Sequence, residues 1–457
     1  MRFIHSAGAT LIFKAIAMIA GLSASIIIAR VLGAEGRGVY ALVMSIVVMA
    51  ASFGVFGLTA SNTYYVAGQS KRVRAIGVHS LLAGILGGLL SFLTVLAIRY
   101  AYPSIFQGLS SNLLWLTLAI VPLFLWGNLF SFAFLGRGKI FAFNAFETSQ
   151  RVIFFALSVL MLWVLSATFE LYFMVVLAAI AVLVFWYIAA YFAKAPEGPL
   201  FSSELLQPSF AYGIRSYVGT LLTLAVMRSA VFFVNYFGGN REAGLLAVAQ
   251  QASELLIIVP GVIGTILFGR ISGGDSDNLT PKVVRTIAFT FLPLSIGLFF
   301  ASEILIVSIF GAEFLPAAGA LKWLIPGAFL LGLEVILVND IKGRGYPWAA
   351  VLFWVPALIV NLTAYYYLIP SMGINGASIS LSLTYALMFV LITVYYIRTR
   401  NVSFSELFVI KSEDIRTLLQ LLKASSKRGV ENSDKEEYDA ATTAHNKDKA
   451  QAQSVIG

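Results

Sequence analysis

Apolar stretches about 20 residues long follow one another along most of this 457-residue chain, with short breaks that carry Gly, Pro, Asn or charge. A helix needs about 20 mostly apolar residues to cross the hydrocarbon core of a bilayer. At 59% hydrophobic and 12% charged residues, the chain also lacks the polar surface of a soluble protein, which usually carries about 25% charged residues. The pattern therefore predicts an all-α polytopic membrane protein.

Counting stretches of this length predicts twelve transmembrane helices, six on each side of a polar linker. The predicted spans are 6–29, 38–60, 77–98, 113–135, 148–167, 170–193, 210–237, 243–268, 284–304, 317–340, 347–368 and 375–397. The predicted domains are an N-terminal lobe at 1–197, a cytoplasmic linker at 198–209 and a C-terminal lobe at 210–400.

The residues after the last span change in character. Ser403 and Glu406 form a capping-box pattern, and apolar residues recur behind them at helical spacing. This predicts either an amphipathic cytoplasmic helix over 401–423 or a helix that packs against the loops. Residues 424–457 are polar and charged, and we expect them to be disordered.

Basic residues indicate the orientation in the membrane. With a cytoplasmic N-terminus, eleven Lys and Arg fall in the inner loops and four in the outer loops, which places both termini in the cytoplasm. The net charge of +9 is then a feature of topology and does not indicate nucleic-acid binding. The sequence shows no metal-ligand spacing, phosphate-binding loop or hydrolase motif, and its outer loops are short, so neither a cofactor nor an enzyme is expected. A membrane glycosyltransferase or polymerase is the alternative from a different class of protein.

The two halves of the chain contain matching segments. GAEGRGVYAL from Gly33 aligns with GNREAGLLAV from Gly239 at a shift of 206, and GRGKIFA from Gly136 aligns with GRGYPWA from Gly343 at a shift of 207. Two matches at nearly one shift predict two six-helix lobes that are parallel repeats around a central cleft. The GRG segments suit tight turns, and a role as a gate or headgroup contact is the alternative.

The stretch IIIARVLGAEGRGVYALVMSIV at 26–47, together with its counterpart at 235–272, resembles the hairpins that open each lobe of Wzx-type polysaccharide flippases of the multidrug/oligosaccharidyl-lipid/polysaccharide (MOP) superfamily. The resemblance implies alternating-access transport of undecaprenyl-diphosphate-linked oligosaccharides across the bacterial inner membrane, for surface polysaccharide synthesis. Implied partners are the lipid-linked oligosaccharide, membrane lipids and other polysaccharide-assembly proteins. The alternative is a cation-coupled multidrug or small-molecule exporter of the same superfamily.

Ionisable residues inside predicted spans are the candidate site, because each costs about 2.5–3.5 kcal/mol at a helix centre. Lys14 either faces a water-filled cleft or extends toward the inner interface. Glu334 lies at a similar depth in the other lobe and is a candidate partner for Lys14 across the cleft, with a coupling or gating role.

Arg228 and Glu254 lie at matching depth on adjacent predicted helices. They form either a structural ion pair or a functional unit in which Arg228 holds a phosphate and Glu254 serves coupling or gating. Arg215 is a third basic candidate, nearer the inner mouth, where interfacial anchoring is the alternative. A cationic cleft suits a diphosphate better than the organic cations of a drug exporter.

Overall fold

The computed structural model describes residues 2–67, 72–272, 274, 279–345, 348–409 and 411. Within these ranges the regular elements are all helical, which confirms the predicted fold class. The α-helices are α1 (Arg2–Gly54), α2 (Leu58–Val66), α3 (Val73–Ala101), α4 (Ser111–Gly136), α5 (Ile140–Leu157), α6 (Phe169–Ala193), α7 (Leu206–Ser272), α8 (Leu279–Phe310), α9 (Leu315–Gly343), α10 (Trp348–Leu352), α11 (Trp354–Arg400) and α12 (Phe404–Phe408). A π-helical segment, Ser158–Val164, continues α5.

Nine helices in the described part of the chain are long and apolar enough to cross a membrane. Three of the helices, α1, α7 and α11, bend at an interior glycine with positive φ, namely Gly33, Gly239 and Gly373. Treating the two arms of each bent helix as separate crossings turns nine spans into twelve. The twelve-span count stays a prediction.

The bends at Gly33 and Gly239 occupy equivalent positions of the predicted repeat. Their backbone angles are nearly identical, with φ 67° and ψ −173° at Gly33 and φ 77° and ψ −177° at Gly239. A side chain at positive φ is strained, and glycine avoids that cost. The glycine in each half therefore bends its helix in the same way. The second arms of α1 and α7 begin at these bends.

The two GRG segments end equivalent helices. Arg137 caps the C-terminus of α4 and Arg344 caps that of α9, and the following Gly138 and Gly345 have positive φ. Such a residue satisfies the last carbonyls of a helix. Arg137 also donates to the carbonyl oxygens of Tyr191 and Lys194. These contacts match the predicted turns.

Buried aromatic side chains connect α4, α5 and α6. The Phe134 ring lies 4.5 Å from that of Tyr187 and 5.2 Å from that of Tyr191. Each tyrosine hydroxyl finds a backbone acceptor, the carbonyl of Ala142 for Tyr187 and that of Val73 for Tyr191, both at 3.0 Å. Buried tyrosines need such partners. The cluster fixes the position of α5 against the rest of the N-terminal lobe.

The predicted capping box at the start of the tail is present. The backbone N–H of Ser403 donates to Oε2 of Glu406 at 2.8 Å, and the backbone N–H of Glu406 donates to Oγ of Ser403 at 3.2 Å. These donors hold the pKa of the Glu406 carboxyl below its ordinary value. The helix that follows, α12, packs against α8 through Arg285. The predicted helix beyond 411 and the predicted disordered tail at 424–457 lie outside the described residues.

Candidate functional site

A cavity of about 520 Å³ lies between the two lobes. Both arms of α1, together with α4 and α5, supply its N-lobe walls, and the two arms of α7 supply the C-lobe wall. Small residues of α1, including Gly21, Ala24 and Ser25, leave the space open. Its volume is within the range of small-molecule binding sites.

The charged side chains on the wall of this cavity are three arginines and two glutamates. They are Arg37, Arg151, Arg228, Glu147 and Glu254. The positive charges exceed the negative charges by one, in a space enclosed largely by apolar helices. Such a setting favours a bound anion, because charges interact more strongly where water is excluded.

Arg37 is the most buried of these arginines, with 6% of its surface exposed. Its Nη2 donates to Oε1 of Gln251 at 3.2 Å, and its ring neighbour is Tyr40, 5.4 Å from the guanidinium carbon. In the described part of the chain, neither Nε of Arg37 nor Nε of Arg228 has a hydrogen-bond partner. Buried donors without acceptors are costly, so both arginines are suited to an anionic ligand.

Gln251 connects the lobes at the same place. Its Oε1 accepts hydrogen bonds from Arg37 and, at 2.5 Å, from Oγ of Ser25. Ser25 and Arg37 belong to α1 and Gln251 to α7, so this contact must break when the lobes separate here. The charged cavity and the lobe interface therefore share residues.

The structure brings two of the sequence-predicted residues together. Arg228 and Glu254 line the same cavity, on the two arms of α7. Among the described residues, no ion pair within 4.0 Å joins them. Arg228 and Glu254 are both within electrostatic range of Arg37.

The other predicted residues lie elsewhere. Lys14 is exposed and is not part of the cavity wall. Glu334 lines a second cavity of about 980 Å³, which also contains Lys342, and the structure does not place Lys14 there. The side chain of Arg215 lies outside the described part of the structure.

Glu334 is almost completely buried in the second cavity. Only 2% of its surface is exposed, and its Oε1 has no hydrogen-bond partner among the described residues. Lys342, eight residues further along α9, is the charged group that acts on it electrostatically. A carboxyl group in this setting is expensive to keep ionised.

Sequence reasoning missed Arg37, Arg151 and Gln251. Arg37 lies in the predicted outer loop between the first two spans, where a charged residue is in water and needs no partner, and Arg151 lies near the start of the predicted span 148–167. The GAEGRG repeat contained a usable signal, because Arg37 follows the bend at Gly33 by four residues and is carried into the second arm of α1.

The lobes touch at both ends of the charged cavity. At the end that contains Gly33, a Cβ on Gly38 would lie 1.7 Å from the carbonyl oxygen of Asn240, and a Cβ on Gly244 would lie 1.9 Å from that of Ala34. We call this the Gly33 end. Only glycines allow the second arms of α1 and α7 to approach so closely.

Polar contacts reinforce the Gly33 end. Arg30 donates to the carbonyl oxygens of Ile309 (2.7 Å) and Ser308 (2.5 Å), at the C-terminus of α8. Oε1 of Glu313 accepts from the backbone N–H of Ala34 at 3.0 Å, where the second arm of α1 begins. Each charge thus lies at the helix end whose dipole attracts it.

The lobes also touch at the opposite end, which we call the Gly57 end. A Cβ on Gly57 would lie 2.6 Å from the carbonyl oxygen of Gly213. Tyr217 donates to the carbonyl oxygen of Phe53 at 2.6 Å, and the Phe56 ring lies 6.4 Å from that of Phe210. Phe56 itself has a φ of 50°, which is strained for a bulky residue.

The chain has two helical lobes around a charged cavity with contacts at both ends, a fold that is also seen in solved membrane transporters. It is similar to a structure titled "Lipid II flippase MurJ, inward closed conformation", with a TM-score of 0.68, 14% identity, and 87% of this chain and 88% of that chain covered. It is also similar to an outward-facing multidrug resistance MATE family transporter of the MOP superfamily, with a TM-score of 0.59, 16% identity, and coverage of 86% and 93%.

Residues 3–273 match the family described as "Polysaccharide biosynthesis protein", and the chain belongs to this family. A relative from Haloferax volcanii, named "Probable low-salt glycan biosynthesis flippase Agl15", is 22% identical over 204 residues, or 42% of this chain and 43% of the relative. The alignments span about two fifths of the length of the curated relatives that the chain matches. The resemblance to MOP-superfamily flippases is confirmed in family and fold.

Proposed function

We propose that this protein is a flippase that moves lipid-linked glycans across a membrane for polysaccharide biosynthesis. The observation that carries the proposal is the cluster of Arg37, Arg151 and Arg228 in the cavity between the lobes. Arginine binds phosphate oxygens through a planar, bidentate fork that lysine lacks. The family and the flippase named above support a glycan cargo.

The proposed cargo is an oligosaccharide on undecaprenyl diphosphate, carried across the bacterial inner membrane, with both termini of the protein in the cytoplasm. In this mechanism, the cavity holds the diphosphate and the sugars next to it. Glu254 lines the same cavity as Arg228 and offsets part of its positive charge when no cargo is bound. The phosphate of the cargo then takes over this role.

Transport then follows from breaking one set of lobe contacts at a time. Opening the Gly57 end separates Gly57 from Gly213 and exposes the arginines to cargo on one side. Opening the Gly33 end breaks the contacts of Arg30, Glu313 and Gln251 and releases the cargo on the other side. The arginines serve both states because they lie between the two ends.

Glu334 is the proposed coupling residue. Its burial, its partnerless oxygen and its place in a separate cavity suit a group that binds and releases a proton once per cycle. Lys342 supplies a nearby positive charge that stabilises the ionised form. In this scheme the driving ion does not pass through the arginine cavity.

The test is deletion of the gene followed by analysis of lipid-linked intermediates. We expect a glycan on its lipid carrier to accumulate on the side of the membrane where it is made. Reintroducing the wild-type protein would clear it, whereas a variant with Ala at both Arg37 and Arg228 would not. Unchanged lipid-linked glycans together with altered drug sensitivity would contradict the proposal and favour an exporter.

A further inference from the structure

An apolar groove of about 440 Å³ runs along the outer side of the wall between α1 and the π-helical end of α5. Apart from one serine, Ser23, its lining is apolar and includes Ile26, Ile27, Phe155, Val159 and Trp163. The charged cavity described above does not include any of these side chains. The groove is therefore a separate concave site on the same two helices.

Consecutive residues connect the two sites through one wall. On α1, Ala24 lines the charged cavity and Ser23 lines the groove; on α5, Phe154 lines the cavity and Phe155 lines the groove. The cavity and the groove thus lie against neighbouring residues of the same two helices, α1 and α5. We call the contact between α1 and α5 the seam. A molecule with a charged head and an apolar chain that lies across the seam would occupy both the cavity and the groove.

Arg151 lies at the cavity side of the seam. A Cβ on Gly21 of α1 would be 3.5 Å from both Cδ and Nη1 of Arg151, which is van der Waals contact, so the Arg151 side chain lies against α1 at this point. Arg151 precedes Phe155 by four residues, one helical turn, and therefore lies on the same side of α5. A cation thus stands at one end of the groove.

Residues at four-residue intervals continue the strip from Arg151 through Phe155 and Val159 to Trp163. The strip begins with an α-helical half, Arg151 to Leu157, which is about 9 Å long at 1.5 Å per residue. Its far half is π-helical, with the backbone N–H of Leu165 bonded to the carbonyl of Leu160 at 3.0 Å. π-helical turns are frequent at functional sites, where they widen a helix locally.

We propose that this groove holds the polyprenyl chain of the lipid carrier while the phosphate attached to it meets Arg151. The proposal rests on the proposed function and adds the place where the lipid tail leaves the cavity. The groove lies between two helices and leads to a cationic cavity, so its shape favours a lipid with one hydrocarbon chain over a phospholipid with two. The seam between α1 and α5 then divides the cargo into a head inside and a tail outside.

The 457-residue sequence contains no cysteine, so a single introduced cysteine can be labelled specifically. Lipid binding can then be measured by fluorescence, without measuring transport. We would label a Val159→Cys variant with bimane, in lipid nanodiscs, and add undecaprenyl phosphate. The matched control is Val182→Cys on α6, an exposed position at 71% that lies outside the groove. We expect a saturable fluorescence change at position 159 and none at 182.

Two comparisons decide whether the site recognises this lipid. We expect Arg151→Gln to raise the half-saturating amount of undecaprenyl phosphate about tenfold, and dioleoyl phosphatidate to compete at least tenfold more weakly. An equal response to phosphatidate would overturn the proposal, since the groove would then be an ordinary contact with bilayer lipid. An absent saturable response at position 159, or an Arg151→Gln variant that binds as well as wild type, would also overturn it.

Filling the groove separates this inference from the proposed function. Ser23→Trp should reduce flipping of a lipid-linked glycan in vesicles at least tenfold, while Val182→Trp leaves it unchanged and both variants elute as monodisperse protein. Wild-type flipping by a well-folded Ser23→Trp variant would refute the groove alone. Saturable binding at position 159 in a protein that flips no glycan would refute the proposed function and leave the groove standing.

Discussion

Replacing Gly38 with Ala tests the contact between the second arms of α1 and α7. The new Cβ would lie 1.7 Å from the carbonyl oxygen of Asn240, whereas carbon and oxygen in contact stand about 3.3–3.6 Å apart. The two arms must therefore separate by at least about 1.6 Å at this point. Overpacking of this kind costs about 1–3 kcal/mol, which shifts the equilibrium away from closure of the Gly33 end by roughly 5- to 150-fold.

Cysteine labelling measures that shift. Ser45 lines the cavity and is buried, so a Ser45→Cys variant reports access from outside. With a membrane-impermeant maleimide added on the Gly33 side, we expect labelling of Gly38→Ala/Ser45→Cys to be at least fivefold faster than that of Ser45→Cys. Gly244→Ala, whose Cβ meets the carbonyl of Ala34, should act in the same direction.

Two further substitutions act as controls. Gly297→Ala places a Cβ where no atom lies within 4 Å, so labelling should not change. Gly57→Ala creates a 2.6 Å contact with the carbonyl of Gly213 and should increase labelling from the opposite side instead. Unchanged labelling in both Gly38→Ala and Gly244→Ala, with wild-type melting curves, would refute the idea that these glycines set the closed state.

Three other substitutions have expected outcomes. Arg228→Lys keeps a positive charge but loses the bidentate fork of the guanidinium. Since hydrogen bonds to charged groups contribute about 1.5–3 kcal/mol, glycan flipping should fall by roughly 10- to 150-fold at normal protein abundance. Wild-type flipping would contradict a contact between Arg228 and phosphate. Glu334→Gln removes the proton-binding group, so flipping driven by a pH gradient should stop while cargo binding persists; retained gradient dependence would exclude Glu334 as the coupling residue. Tyr217→Phe loses the bond to the carbonyl of Phe53, worth about 0.5–1.5 kcal/mol, and cavity labelling from the Gly57 end should rise about two- to tenfold.

The sequence was sufficient to predict the class of fold and to identify two equivalent positions, Gly33 and Gly239, at which the chain bends. Span length alone indicates a polytopic helical protein, and the shift between Gly33 and Gly239 predicts equivalent bends because positive φ has few solutions other than glycine. The exact division of helices was harder to predict. The sequence predicts a loop at 30–37 between the first two spans, whereas the structure has one helix, α1, that bends at Gly33.

The site was predictable in depth but not in direction. Counting residues places Lys14 inside a span but does not show which way its side chain faces, because the rotation of a helix about its axis depends on the helices packed against it. Here α5 packs next to Lys14, through Phe13 and Thr148. Arg228 and Glu254 were found because both interrupt apolar runs. Arg37 was missed because an arginine close to a helix end has an ordinary topological explanation, and only the packing of α7 against it produces its burial.

The reciprocal contacts at the Gly33 end have an electrical consequence. Arg30 and Glu313 carry opposite charges at the same end of the molecule, one on each lobe. The charges of these two residues cancel, so this pair adds no net charge to the region that moves, whereas a single charge that crosses the whole membrane field exchanges about 2.3 kcal/mol per 100 mV. These two contacts therefore add no voltage dependence of their own to the opening of the Gly33 end.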